Sequence, residues 1–200
     1  MTRTLTKEKR DSLIEAAIEI FREKDYGEVT VREIVARAGS SPATFYRYFK
    51  TKKDLYSEIL DAWLDRYMEV WDSIDPLYGA GIDGRLNAQE ATRAAVERIF
   101  AFYRDNREVA GAIFRKGASV DGRFAQRGDE VVELTVRHLA EVVRRLQEAG
   151  LVRGFEPDVL AAIMFSVVYG VAIACVVHEK RDDVENLAAQ ATRMLWSGIT

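Results

Sequence analysis

The chain has 200 residues, 48% of them apolar and 30% charged, and a net charge of −3. That length suits one large domain or two small ones, and the balance excludes a disordered chain, a collagen-like repeat and a polytopic membrane protein. Cys175 is the one cysteine, which excludes an intrachain disulfide, and residues 1–17 carry no apolar run of signal-peptide type. Both features point to a reducing, cytoplasmic setting.

Three prolines and thirteen glycines are few and clustered, and no stretch alternates with period two. The chain therefore reads as all-α. The first helix is expected from about Lys7 to Lys24, with Leu13, Ile14, Ala17, Ile18 and Phe21 on one face, and Asp25-Tyr26-Gly27 ends it. Thr30 and Glu33 have capping-box spacing and open a short helix that Gly39 stops. Ser41 caps a third helix with Pro42 at its first position, and Thr51 caps a fourth with Asp54 in its first turn.

The inward stripe Leu55, Ile59, Trp63, Tyr67 and Trp71 carries the fourth helix to about Ser73, and 75–84 is expected to be a loop. Asn87 and Glu90 open a helix to about Asp105, and a shorter one follows from Asn106 to Ala118. After an Asp121-Gly122 turn a long helix ends at Gly150. Pro157 starts the next, to about His178, and the last spans roughly Asp183 to Trp196.

Several features imitate chemistry. Gly79, Gly81 and Gly84 have the spacing of a dinucleotide-binding turn, but no strand precedes them, so no cofactor is expected. Val159 to Val177 is uncharged over 19 residues, the lower edge of a membrane span. Ser166, Tyr169, Gly170 and the amphipathic flanks favour a buried helix or an oligomer interface, and no membrane partner is expected. His138 and His178 lie on different helices without a second ligand at metal spacing, so no metal site is expected. Glu130 and Glu133 fit a solvated face, and neither a nucleophile elbow nor a P-loop occurs. Nothing supports an enzyme.

Charge is unevenly placed. Residues 1–56 carry 12 Lys and Arg against 9 Asp and Glu, whereas 57–200 carry 17 against 23. Between Glu33 and Asp54 there is no acid, while Arg37, Arg47, Lys50, Lys52 and Lys53 lie there. A local basic stretch on an acidic chain steers an anion to one place. The same stretch, Val31 to Phe49, has the dimensions of a helix-turn-helix. Its second helix opens with the small residues Ser41, Pro42, Ala43 and Thr44, which let a helix end approach base edges. Tyr46, Arg47, Tyr48, Lys50 and Lys52 follow as phosphate anchors, and Thr30 marks another helix N-terminus that favours a phosphate oxygen.

Residues Thr30-Val31-Arg32-Glu33-Ile34 to Ala38-Gly39, then Thr44-Phe45-Tyr46-Arg47-Tyr48-Phe49-Lys50-Thr51-Lys52, resemble the tetracycline-repressor (TetR) family of bacterial transcriptional regulators. The likeness covers about Lys7 to Leu60. It implies a helix-turn-helix DNA-binding domain at 1–53 and a helical effector-binding and dimerisation domain at 54–200, in a homodimer joined through its last two helices. It implies DNA contacts at Thr30, Ser41, Thr44, Tyr46, Tyr48 and Lys52. Ser40 and Ala43 depart from the family's usual apolar residue and glycine, and both fall within the expected DNA-binding stretch. The expected activity is sequence-specific repression at a palindromic DNA operator, relieved by a small, largely hydrophobic effector. The alternative is a helical enzyme or carrier with an apolar pocket.

Ala162, Ser166, Gly170 and Ala174 recur every four residues as a seam of small side chains, with Leu187, Ala188, Ala191 and Leu195 on the last helix beside it. These eight are the expected dimer interface, the alternative being packing within one chain. Opposite the seam point Phe165, Tyr169 and Ile173. With Trp63, Tyr67, Phe100, Tyr103 and His138 they form either a filled aromatic core or, as the resemblance implies, the effector cavity.

Overall fold

The computed structural model describes residues 2–116 and 122–198, with side chains described for 7–111 and 129–198. Among these residues the helices are α1 (Thr2–Glu23), α2 (Val31–Arg37), α3 (Pro42–Tyr48), α4 (Lys52–Ile82), α5 (Ala88–Asp105), α6 (Arg107–Lys116), α7 (Gly122–Glu148), α8 (Pro157–Val171), a π-helical segment (Ala172–His178) and α9 (Val184–Ser197). There are no strands among the described residues, and the fold is all-α as expected. The helix ending expected at Ala118 and the turn residue Asp121 lie outside the described residues.

The chain divides into two compact units. The first holds residues 1–65 and 108–126, the second 66–107 and 127–200. In the first, α1, α2 and α3 enclose a core of Leu13, Ala17, Phe21, Ile34, Phe45 and Phe49, continued by Leu55, Tyr56 and Ile59 of α4. Thr30 Oγ1 accepts the Glu33 N–H at 3.2 Å, and Glu33 Oε2 accepts the Thr30 N–H at 2.8 Å, so the expected capping box is formed. Gly39 takes φ +57°, the left-handed conformation that ends α2 without the cost a Cβ would bring. Ser41 Oγ accepts the Thr44 N–H at 3.2 Å with Pro42 at the first helical position. A second reciprocal cap, Thr51 with Asp54, opens α4.

In the second unit α5 packs on α9 and on the π segment, and α8 packs on both of these. The loop expected at 75–84 is a correction: α4 runs through Pro76 to Ile82. Proline removes one helix hydrogen bond, but Ile74 and Tyr78 are buried and extend the stripe of Tyr67 and Trp71 by two more turns. Tertiary burial outweighs the local breaker. A Cβ on Gly81 would lie 3.0 Å from Ala91 Cβ and 3.2 Å from Ala88 Cα, so a residue without one lets α4 and α5 approach closely. The helix ends at Ile82, and Gly84, φ +70°, lies in the turn that follows.

The helix expected to reach His178 changes to π winding at Ala172. Arg107 holds the far end of this segment: its Nε donates to Val176 O at 2.8 Å, and its Nη2 donates to Arg181 O at 2.9 Å and to Asp182 Oδ1 at 2.8 Å. One guanidinium thus satisfies the Val176 carbonyl, one of the acceptors that a helix end leaves unpaired, and the Arg181 carbonyl beyond the helix.

Candidate nucleic-acid interface and ligand cavity

In the first unit, Phe45 and Phe49 are buried and fix one side of α3. The opposite side is open. Ser41, Pro42, Ala43, Tyr46, Arg47 and Lys50 are exposed, Tyr46 by 58%, and Ser40, Thr44 and Tyr48 are half-buried. The Ser41 and Thr44 hydroxyls lie 3.0 Å apart at the N-terminal end of α3, where free amide groups also point. Small residues and hydroxyls at the N-terminal end of α3 and the cations Arg47 and Lys50 at and just past its other end are thus exposed around one short helix, an arrangement suited to a major groove. Tyr48 is half-buried and packs in part against the core. Thr30 is exposed, but its hydroxyl also donates to Glu33 Oε2 at 2.8 Å.

Lys52 is placed differently from the other expected anchors. Its Nζ donates to Val29 O at 2.5 Å and to Tyr26 O, and lies 4.1 Å from the centre of the Tyr26 ring. Burial lowers its pKa. The ammonium thus ties the first turn of α4 to the turn after α1, and no sequence-local signal could have shown this, because the partners are 23 and 26 residues away.

In the second unit a cavity of about 20 Å³ lies among α4, α5, α7, α8 and α9, room for about one water. Its walls include Tyr67, Trp71 and Tyr78 of α4, Ile99 of α5, Leu139 of α7, and Met164, Phe165 and Tyr169 of α8. Of the seven residues expected at an effector site, Tyr67, Phe165 and Tyr169 line it. The Phe165 and Tyr169 rings are stacked 5.4 Å apart. Phe100 and Tyr103 are buried but do not line it, and Trp63 is buried in the first unit. His138 stands behind the wall, its ring 6.0 Å from that of Trp71 and its Nε2 3.7 Å from Asp75 Oδ1. Trp71 and Tyr78 were legible as a continuation of the α4 stripe, but the expected loop concealed Tyr78. Burial raises the pKa of Tyr67, Tyr78, Tyr103 and Tyr169, so all four are neutral phenols at physiological pH.

A family model described as bacterial regulatory proteins, tetR family, matches residues 13–59, the whole of the helix-turn-helix. The transcriptional regulator AcuR of Cereibacter sphaeroides is 30% identical over 162 residues, 75% of this chain and 68% of that one. The chain belongs to the TetR family. It is a DNA-binding transcriptional regulator, and regulators of this family are not enzymes. The fatty acid metabolism regulator protein of Bacillus subtilis is 20% identical over 197 residues, 96% of this chain and 98% of its own. The TetR-family fold extends over both units. The crystal structure of FadR from Bacillus subtilis in complex with stearoyl-CoA has a TM-score of 0.69 at 19% identity, covering 94% of this chain and 98% of that one. Matches to some other regulators span about half of their length or less.

In this TetR-family chain the small-residue seam of α8 and the π segment is solvent-exposed throughout, at Ala162, Ser166, Gly170 and Ala174, and Val159 and Ile163 are exposed beside it. The residues expected from α9 need correction. Leu187, Ala188, Ala191 and Leu195 are buried within the chain, on the side of α9 that faces α5. An amphipathic helix has one apolar stripe, and here α5 already covers it. What α9 leaves exposed includes Gln190, Arg193 and Met194. The helix of 22 residues from Pro157 to His178 is long and apolar enough to cross a membrane by length and composition, with a third of its most apolar window buried in the chain.

Proposed function

We propose that this regulator is a cytoplasmic repressor that binds a palindromic operator as a homodimer and is released by a small, largely hydrophobic effector. The observation that carries this reading is that one chain holds both an exposed α3 surface of small, hydroxyl and cationic side chains in its first unit and an aromatic-walled cavity in its second. Ser40, Ser41, Pro42, Ala43 and Thr44 approach base edges, and Tyr46, Arg47, Tyr48 and Lys50 meet phosphates, with Thr30 at a second helix end. The exposed seam of α8 meets the same seam of a second copy, which gives the two-fold symmetry a palindrome requires. A cavity with room for about one water must widen to admit a ligand. The effector therefore binds the widened arrangement preferentially, and that difference in affinity shifts the population away from the DNA-binding form. A relative's structure with stearoyl-CoA is consistent with an apolar ligand in this fold.

The experiment is a binding selection on genomic fragments followed by anisotropy on the enriched site. Thr44→Ala should change base preference by about 1–3 kcal/mol at one position per half-site. Arg47→Ala should weaken operator and random DNA alike. Enrichment of sites without two-fold symmetry, or equal loss on all DNA for both variants, would overturn the assignment.

A further inference from the structure

Resting on that reading of the two units, we propose that Arg107 is the residue that couples effector binding to DNA binding, by locking the end of the π segment to the first turn of α6. The second unit includes Arg107 and the first resumes at Glu108, so the boundary falls on the peptide bond between them. Each side of that bond is held within its own unit. Arg107 is bound to Val176, Arg181 and Asp182. Glu108 pairs with Arg22 of α1, and Val109 packs on the core shared by α1, α2 and α3. A displacement of the π segment therefore reaches the DNA-binding unit through adjacent residues of one helix.

The link is firm at the π segment. The Arg107 side chain is 17% exposed, and its planar fork meets one partner through Nε and two through Nη2. Beyond the segment Lys180 takes φ +56°, a left-handed conformation kept only where neighbours over-determine it, and Arg107 grips the next two residues. The segment also continues the cavity wall. Phe165, Val168 and Tyr169 line the cavity, and the winding changes at Ala172 with no break in the helix. Exchange between i→i+4 and i→i+5 pairing re-aims the carbonyls of such a segment, and π turns recur at functional sites. A ligand that widens the cavity displaces α8, and the Val176 carbonyl belongs to the same continuous helix. Arg107 then either follows, carrying α6 with it, or gives up hydrogen bonds made by a mostly buried charged group, which is costly. The clamped arrangement is the DNA-binding one, and effector binding opposes it.

The test needs no effector, because coupling between two sites is reciprocal: if the second unit governs DNA affinity, DNA must alter the second unit. Amide hydrogen exchange of the full chain is measured by mass spectrometry, with and without the DNA fragment enriched by the binding selection. In the wild type the fragment should protect α3 and should also slow exchange across 172–183 by about threefold or more. Arg107→Met keeps a long side chain without the donors. It should leave the protection of α3 and abolish the slowing at 172–183. A purely structural tie would change exchange there without DNA and leave the DNA-dependent slowing in place, which would overturn the proposal. Arg107→Lys keeps the charge beside Asp182 but not the fork, and serves if Arg107→Met fails to fold; it should retain less than half of the slowing, and full retention would overturn the coupling role. Protection of α3 with no change at 172–183 in the wild type would overturn this proposal alone. DNA binding without protection of α3 would overturn the reading of α3 as the DNA-binding surface, and this proposal with it.

Discussion

Replacing Lys52 by Ala separates two physical roles for one cation. In the structure the ammonium donates to two main-chain carbonyls, Tyr26 O and Val29 O, and sits over the Tyr26 ring. A hydrogen bond from a charged donor contributes about 1.5–3 kcal/mol, and a cation–π contact at a partly exposed site about 0.5–1. The group is half-buried and its desolvation opposes the gain, as its lowered pKa shows, so the low end applies. Lys52→Ala should destabilise the first unit by about 2–3 kcal/mol, which for a chain of this size is a fall of roughly 5–10 °C in Tm. The assay is thermal unfolding by circular dichroism, paired with DNA affinity measured across a salt series. A phosphate contact contributes about 0.9 to the slope of log K against log salt, so losing one per subunit would lower a dimer's slope by about 1.8. The clamp predicts a lower Tm and an unchanged slope. An unchanged Tm with the slope reduced by that amount would refute the reasoning and return Lys52 to the phosphate.

Three further outcomes are expected. The carboxyl of Glu33 is held down to about 2, first by the hydrogen bond from Lys24 and then by the Thr30 amide, so its folded pKa lies below its unfolded one. It therefore stabilises above pH 4.5 and loses that contribution as pH falls toward 2; Glu33→Gln should flatten the acid limb of a Tm–pH profile in this window. Gly81→Val, whose Cβ would press on Ala91 and on the α5 backbone, should cost about 1–3 kcal/mol in urea unfolding; no loss would show that the two helices are less closely packed than described. Gly170 has open space where a Cβ would go, so Gly170→Leu should fold normally and sediment as a monomer, and an intact dimer would remove the α8 seam as the interface.

The parts of this regulator that were legible in its sequence are those whose partners lie within a few residues. Thr30 with Glu33, Ser41 with Thr44 and Thr51 with Asp54 each join residues three apart, and Gly39 answers a local need for positive φ. Those same residues shape the helix-turn-helix, so the end of α3 proposed to meet DNA could be read before any packing was known. Tertiary structure decided what the breakers and the ambiguous faces do. Pro76 remains inside α4 because Ile74 and Tyr78 are buried on either side of it, and the π winding at Ala172–His178 is held by Arg107, far away in sequence. Leu187, Ala188, Ala191 and Leu195 carry the pattern of an interface helix, yet α5 takes that face, leaving the seam of α8 uncovered. Periodicity reveals that a helix has an apolar side. Which element covers that side depends on contacts between residues distant in the chain, and no local spacing encodes them.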